Sequence, residues 1–162
     1  MVNLLRDLVI IAILTLTPFL ELRASIPYGI VLGHAWWAVF LIAVIFNILI
    51  APVTYFFWNK IIHLLRWIKF VDKLYHKTIE RVQKKAKKAI DKYGELGLAV
   101  FIGIPLPGSG VWSGALAANI LGLRFRKYMI ASIIGVLIAG IIVTVIVMSG
   151  TGLFDLFVKV VK

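Results

Sequence analysis

The chain has 162 residues, 62% of them hydrophobic and 15% charged, with a mean hydropathy of +1.01. A soluble domain is about 45–50% apolar, and one this small has too much surface per volume to hide the excess. A soluble enzyme, a nucleic-acid module and a disordered tail are therefore excluded as whole-chain readings, and the composition indicates an integral membrane protein. The net charge is +11, but residues 60–95 alone hold eleven Lys or Arg against four acids. Beside membrane segments such a block marks topology and anionic-lipid contact rather than nucleic acid. With no cysteine, disulfides and thiolate chemistry are excluded too.

In chain order, the first apolar stretch is Leu8–Leu20, 13 residues. As a helix it would be about 20 Å long, short of the roughly 30 Å hydrocarbon core. It then meets Pro18, Glu21, Arg23, Pro27 and Gly29, a cluster expected to stop a helix. The next stretch, Ala24–Asn59, contains an uninterrupted span over Trp36–Trp58 of 23 residues. Trp36, Trp37, Tyr55 and Trp58 lie near its ends, where amphipathic rings favour the interface. Residues 60–95 read as an amphipathic helix, with apolar positions at Ile61, Leu65, Ile68, Tyr75, Ile79, Val82, Ala86, Ala89 and Tyr93. A helix lying on the inner membrane face explains this pattern; a coiled-coil seam against a second copy, giving a homodimer, is the rival. Leu96–Leu123 breaks in turn at Pro105, Pro107, Gly108 and Gly110, and the basic cluster Arg124–Lys127 leads into a second span, Tyr128–Gly150.

Both broken stretches are expected to be re-entrant hairpins. That arrangement puts the basic linker and Arg124–Lys127 on one side, the cytoplasm, as the positive-inside rule prefers. Four full spans, with kinks at the prolines, are the alternative. Each half (1–59 and 96–162, joined by 60–95) would then be a hairpin plus one transmembrane helix. Phe19 parallels Phe101 at an offset of 82, and Ala43, Asn47 and Ala51 parallel Ala131, Gly135 and Ala139 at 88. Because each half crosses once, the repeats would be inverted, a transporter signature with the site where the hairpins meet. The expected fold is thus an all-α integral membrane protein of two inverted repeats.

Glu21 and Arg23 are the sharpest chemical feature. Either at a helix centre costs about 2.5–3.5 kcal/mol on insertion scales, tolerated when such groups pair or line a wet cavity; solvated charges at an outer turn are the rival. Glu21 could carry a coupling proton, and Arg23 could hold an anionic group such as phosphate as a bidentate fork. The second break, Pro105 to Gly110, offers backbone groups that need a protein or water partner, and the half-helix after Pro107 would favour an anion at its N-terminus. Pro27, Pro105, Pro107, Gly108, Ser109 and Gly110 are therefore candidate substrate or ion contacts. Gly110, Gly114, Ala118 and Gly122 form a small-residue packing stripe, Gly135 lies on another, and Asn47 and Asn119 are expected to hydrogen-bond between helices. A serine hydrolase built on Ser109 lacks a base, since no histidine lies in an apolar span; His34, His63 and His76 have no metal spacing, and no cofactor motif occurs.

The segments Glu21-Leu22-Arg23-Ala24-Ser25-Ile26-Pro27-Tyr28-Gly29 and Gly103–Gly114 resemble those of the small multidrug export protein family, which is similar to the wider DedA/VTT superfamily. The resemblance covers nearly the whole chain. It implies paired re-entrant hairpins in inverted orientation and movement of lipids, including polyprenyl-phosphate carriers, with proton dependence. By position it carries over Glu21 as the acid of the first hairpin and Arg126 as the basic residue after the second; the second acid of larger members has no counterpart. The expectation is a non-enzymatic secondary exporter, or a lipid flippase or scramblase, of the cytoplasmic membrane. Its partners would be anionic membrane lipids and a small amphipathic substrate. A membrane-organising scaffold is the alternative.

Overall fold

The computed structural model describes residues 4–18, 20–65, 93–106 and 108–150. Within them the chain is all helix: α1 Leu4–Leu16, α2 Glu21–Val31, α3 Trp36–Leu65, α4 Tyr93–Gly103, α5 Val111–Ile120 and α6 Phe125–Met148. Most of the linker, residues 66–92, lies outside the described residues, as do Phe19 and Pro107; the amphipathic-helix and coiled-coil readings fall there.

α1 begins at Leu4 and ends at Leu16, two residues before Pro18 rather than at Leu20. Thr17 caps its end by donating from both its amide and its hydroxyl to the Ile13 carbonyl, at 3.1 and 2.8 Å. The first break is shorter than the sequence suggests, because α2 already begins at Glu21 and carries Pro27 and Gly29 inside it. A proline inside a helix removes a single amide bond and crowds one carbonyl, and packing overrides that here. Gly29 sits so close to α3 that a Cβ would meet Val39 at 2.7 Å. α1 and α2 form a hairpin: Asp7 near the start of α1 faces His34 just past α2 at 3.3 Å, and the hydroxyls of Thr15 and Ser25 meet at 2.8 Å. In the second half, α4 and α5 flank the other break, and Gly114 of α5 lies against Ile102 of α4.

α3 and α6 are the two helices long and apolar enough to cross a membrane among the described residues. α3 is continuous through Pro52 and runs to Leu65, past the expected end at Trp58, while α6 starts three residues earlier than expected, at Phe125. They are antiparallel: Phe40 and Val44 near the start of α3 pack on Gly140, whereas Thr54 and Tyr55 near its end meet Tyr128 at the start of α6. Large apolar side chains such as Leu41, Leu49, Phe56, Ile141 and Val145 are exposed along the outer faces. In water that surface would be an aggregation liability; in lipid it is the expected exterior.

One spacing relates the two halves. Gly33 and Gly122, each with positive φ in the loop before a long helix, are 89 residues apart, as are Trp36 and Phe125 at the helix starts. The pairs Phe19/Phe101 and Asn47/Gly135 stand at offsets of 82 and 88 instead.

Candidate functional site

The two breaks meet, and they do so through Glu21 and Arg23. Glu21 opens α2 with φ +48, the single non-glycine residue with positive φ among the described residues. Such a conformation costs on the order of 1–3 kcal/mol and persists only where the surroundings over-determine it. Here it turns the carboxylate onto the N-terminus of α5. Oε2 accepts the Val111 amide and Oε1 the Trp112 amide, both at 3.1 Å. The first amides of a helix have no intrahelical acceptor and carry a positive partial charge, so a buried carboxylate satisfies both needs together.

Arg23 does the converse at the end of α4. Its Nη1 donates to the Ser109 carbonyl at 2.7 Å, and its Nη2 to the Ile104 carbonyl at 3.1 Å, the Ile102 carbonyl at 3.4 Å and the Ser109 hydroxyl at 2.8 Å. The carbonyls at a helix C-terminus are unpaired and favour a cation. The two side chains also pair with one another at 3.5 Å, and only 2% and 5% of the two residues is exposed. The acid and the base of one hairpin thus complete the two helix ends that the other hairpin leaves open.

The remaining expected residues fall into place around this clasp or away from it. Gly110, with φ +124, passes so close that a Cβ there would overlap Glu21 Oε2 and Arg23 Nη1. The Ser109 hydroxyl is held between Arg23 and the carbonyls of Ile104 and Leu106. The anion expected at the α5 N-terminus is the protein's own carboxylate. Pro105 is half-buried in the turn and Gly108 is exposed, while Pro27 lies inside α2. Arg126 is exposed on the first turn of α6 and makes no contact with the clasp. Asn47 is fully buried on α3, with its side-chain amide beside the Glu21 carboxylate. Asn119 does bond between helices, its Nδ2 donating to the Tyr55 carbonyl at 3.2 Å. Gly114, Ala118 and Gly135 are buried, and Gly135 faces Ile102 and the Ala99 carbonyl.

Sequence reasoning missed Tyr128 and Thr54. The Tyr128 hydroxyl donates to the Val111 carbonyl at 3.1 Å and pairs with the Thr54 hydroxyl at 2.9 Å, tying α5, α6 and α3 together beside the clasp. The sequence signal was masked, because Tyr128 directly follows Arg124–Lys127, where a tyrosine reads as an interfacial ring. Among the described residues no group of three or more His, Cys, Asp or Glu could hold a metal.

A family described as putative small multi-drug export protein matches residues 21–142, about three quarters of the chain. No curated protein and no solved structure matches it. The chain belongs to that family, a DedA/VTT-related family of membrane transport proteins rather than enzymes.

Proposed function

We propose that this member of the small multi-drug export family is a secondary carrier of the cytoplasmic membrane that moves an amphipathic substrate with an anionic headgroup. In this reading the α1–α2 and α4–α5 hairpins are re-entrant, the halves are inverted repeats, and the linker and Arg124–Lys127 face the cytoplasm. The antiparallel course of α3 and α6 and the common spacing of 89 residues support it. The observation that carries it is the clasp itself. A buried acid and base on α2 hold the end of α4 and the start of α5 at one point, and a phosphate has the chemistry to replace the acid at both of its contacts.

An anionic headgroup crossing about 30 Å of hydrocarbon must trade its hydration for fixed partners. The α5 amides and the Arg23 fork are such partners once Glu21 withdraws, and Glu21 repels the same anion unless it is protonated. The clasp therefore couples substrate entry to a proton. The scaffold reading has an observation in its favour too: both Nη atoms of Arg23 are fully engaged within the protein.

Reporter movement in proteoliposomes, with helix content checked by circular dichroism, separates the two readings. A fluorescent phospholipid or polyprenyl-phosphate should move with the wild type, stop with Arg23→Gln, and lose its pH dependence with Glu21→Gln. Wild-type movement no faster than in empty liposomes, or variants that match wild type at every pH, would overturn the carrier reading for these substrates.

A further inference from the structure

A second polar site lies at the other end of α5. Between the last turns of α3 and the α5–α6 loop is an open pocket of about 340 Å³ whose wall includes Tyr55, Asn59, His63, Asn119, Leu123 and Arg124. It shares no residue with the clasp, which sits at the opposite end of the ten-residue α5, about 15 Å away along the helix axis.

The walls are fixed by internal bonds. The Tyr55 hydroxyl donates to the Leu123 carbonyl at 2.9 Å, and Asn119 Nδ2 donates to the carbonyls of Tyr55 and Ala115 at 3.2 and 2.9 Å. The groups that open into the pocket are different. Among the described residues, the side chains of Asn59, His63 and Arg124 have neither a hydrogen bond nor an ion pair. The lining holds a guanidinium, an imidazole and two amides, and no carboxylate. Such a donor-rich, acid-free lining selects an anion, and a guanidinium matches phosphate geometry in particular.

Depth narrows the source of that anion. From Trp36 to Asn59 is 23 residues along α3, about 35 Å at 1.5 Å per residue, slightly more than the hydrocarbon core. The pocket therefore lies at headgroup level if α3 spans. Tyr55 in its wall carries the amphipathic ring type that favours the interface.

We propose that this pocket binds the phosphate headgroup of an anionic membrane lipid, independently of the Glu21–Arg23 clasp. The ligand is a phosphoester whose acyl chains stay in the bilayer along α3 and α6. The proposal rests on the membrane placement of these helices and not on transport.

The test uses the full chain in detergent micelles and reads ligand-induced shifts in unfolding temperature. The probes are dioctanoyl phosphatidic acid, dioctanoylglycerol without phosphate, and glycerol 3-phosphate without chains. Dioctanoyl phosphatidic acid should give a saturable rise, dioctanoylglycerol none, and glycerol 3-phosphate binding at least tenfold weaker. Arg124→Gln should weaken the lipid at least tenfold and Asn59→Leu several-fold. Arg6→Gln, an exposed arginine on α1, should bind like wild type. If Arg124→Gln does not fold, Asn59→Leu and His63→Gln decide the matter. The site is overturned if the folded pocket variants bind like wild type or if Arg6→Gln loses as much. Glycerol 3-phosphate binding as tightly as the lipid overturns the lipid assignment in favour of a soluble phosphoester. Binding without any reporter transport would sink the carrier reading and leave this one standing.

Discussion

Replacing Arg23 by Met keeps the apolar stem and removes the fork. The wild-type guanidinium makes four hydrogen bonds to the second hairpin and one ion pair with Glu21. Without it, the Glu21 carboxylate keeps two amide donors but has no countercharge, and the carbonyls of Ile104 and Ser109 lose their Arg23 donors. Removing one partner of a buried pair costs about 3–5 kcal/mol. Glu21→Gln is milder, since one side-chain oxygen remains to accept one α5 amide while the other amide is stranded, a loss of about 1–3 kcal/mol. Groups that share a network couple by about 0.5–3 kcal/mol, so the double variant should lose less than the sum of the singles. At about 2–4 °C per kcal/mol for chains of this size, Arg23→Met should lower the unfolding midpoint by roughly 10 °C. Reversible unfolding in mixed micelles, followed by tryptophan fluorescence, measures this, and Trp112 reports directly because its amide is held by Glu21. An Arg23→Met protein as stable as wild type, or single losses that simply add, would refute the clasp.

Gly110→Ala should fail to assemble or lose well over 3 kcal/mol, because its Cβ collides with both clasp residues, whereas Gly108→Ala, with φ +83 and open space around it, should lose only about 1–3 kcal/mol of backbone strain; chemical unfolding of the pair checks the contrast. Tyr128→Phe strips the hydroxyl from Thr54 and Val111 and should cost about 1–3 kcal/mol in the same assay. Single cysteines at Lys85 and Lys127 should both resist an impermeant reagent in intact cells while those at Val2 and Lys162 react; labelling at Lys127 with protection at Lys85 would restore four full spans. A peptide of residues 60–95 should bind anionic vesicles more tightly than neutral ones and release as salt rises; equal binding to both would reject the electrostatic part.

Glu21 and Arg23 were legible because charge in an apolar run is expensive enough to demand a reason, and residue type alone exposes it. Their partners were not. The groups they bind are the amides of Val111 and Trp112 and the carbonyls of Ile102, Ile104 and Ser109, and backbone groups carry no residue signature. Pro27 was placed in the break because proline disfavours helix locally, but the close seating of Gly29 on Val39 keeps α2 intact. The loop glycines Gly33 and Gly122 share the 89-residue spacing of the helix starts, since both loops require positive φ and glycine adopts it freely.

Hydrocarbon supplies no water to a broken helix, so every hairpin tip inside a membrane must find its donors and acceptors in the protein. The α4–α5 break presents a row of carbonyls followed within seven residues by a row of amides. No single side chain answers both. An acid and a base two residues apart do, provided the chain turns between them, and the positive φ of Glu21 is what aims the carboxylate at one row while Arg23 reaches the other. The same demand explains why such a clasp suits a carrier. A part held by apolar packing would give a polar ligand no competitor's foothold, whereas helix ends held by a carboxylate can be taken over by another anion of matching shape. The chemistry that closes the two hairpins on one another is the chemistry an anionic headgroup would use to part them.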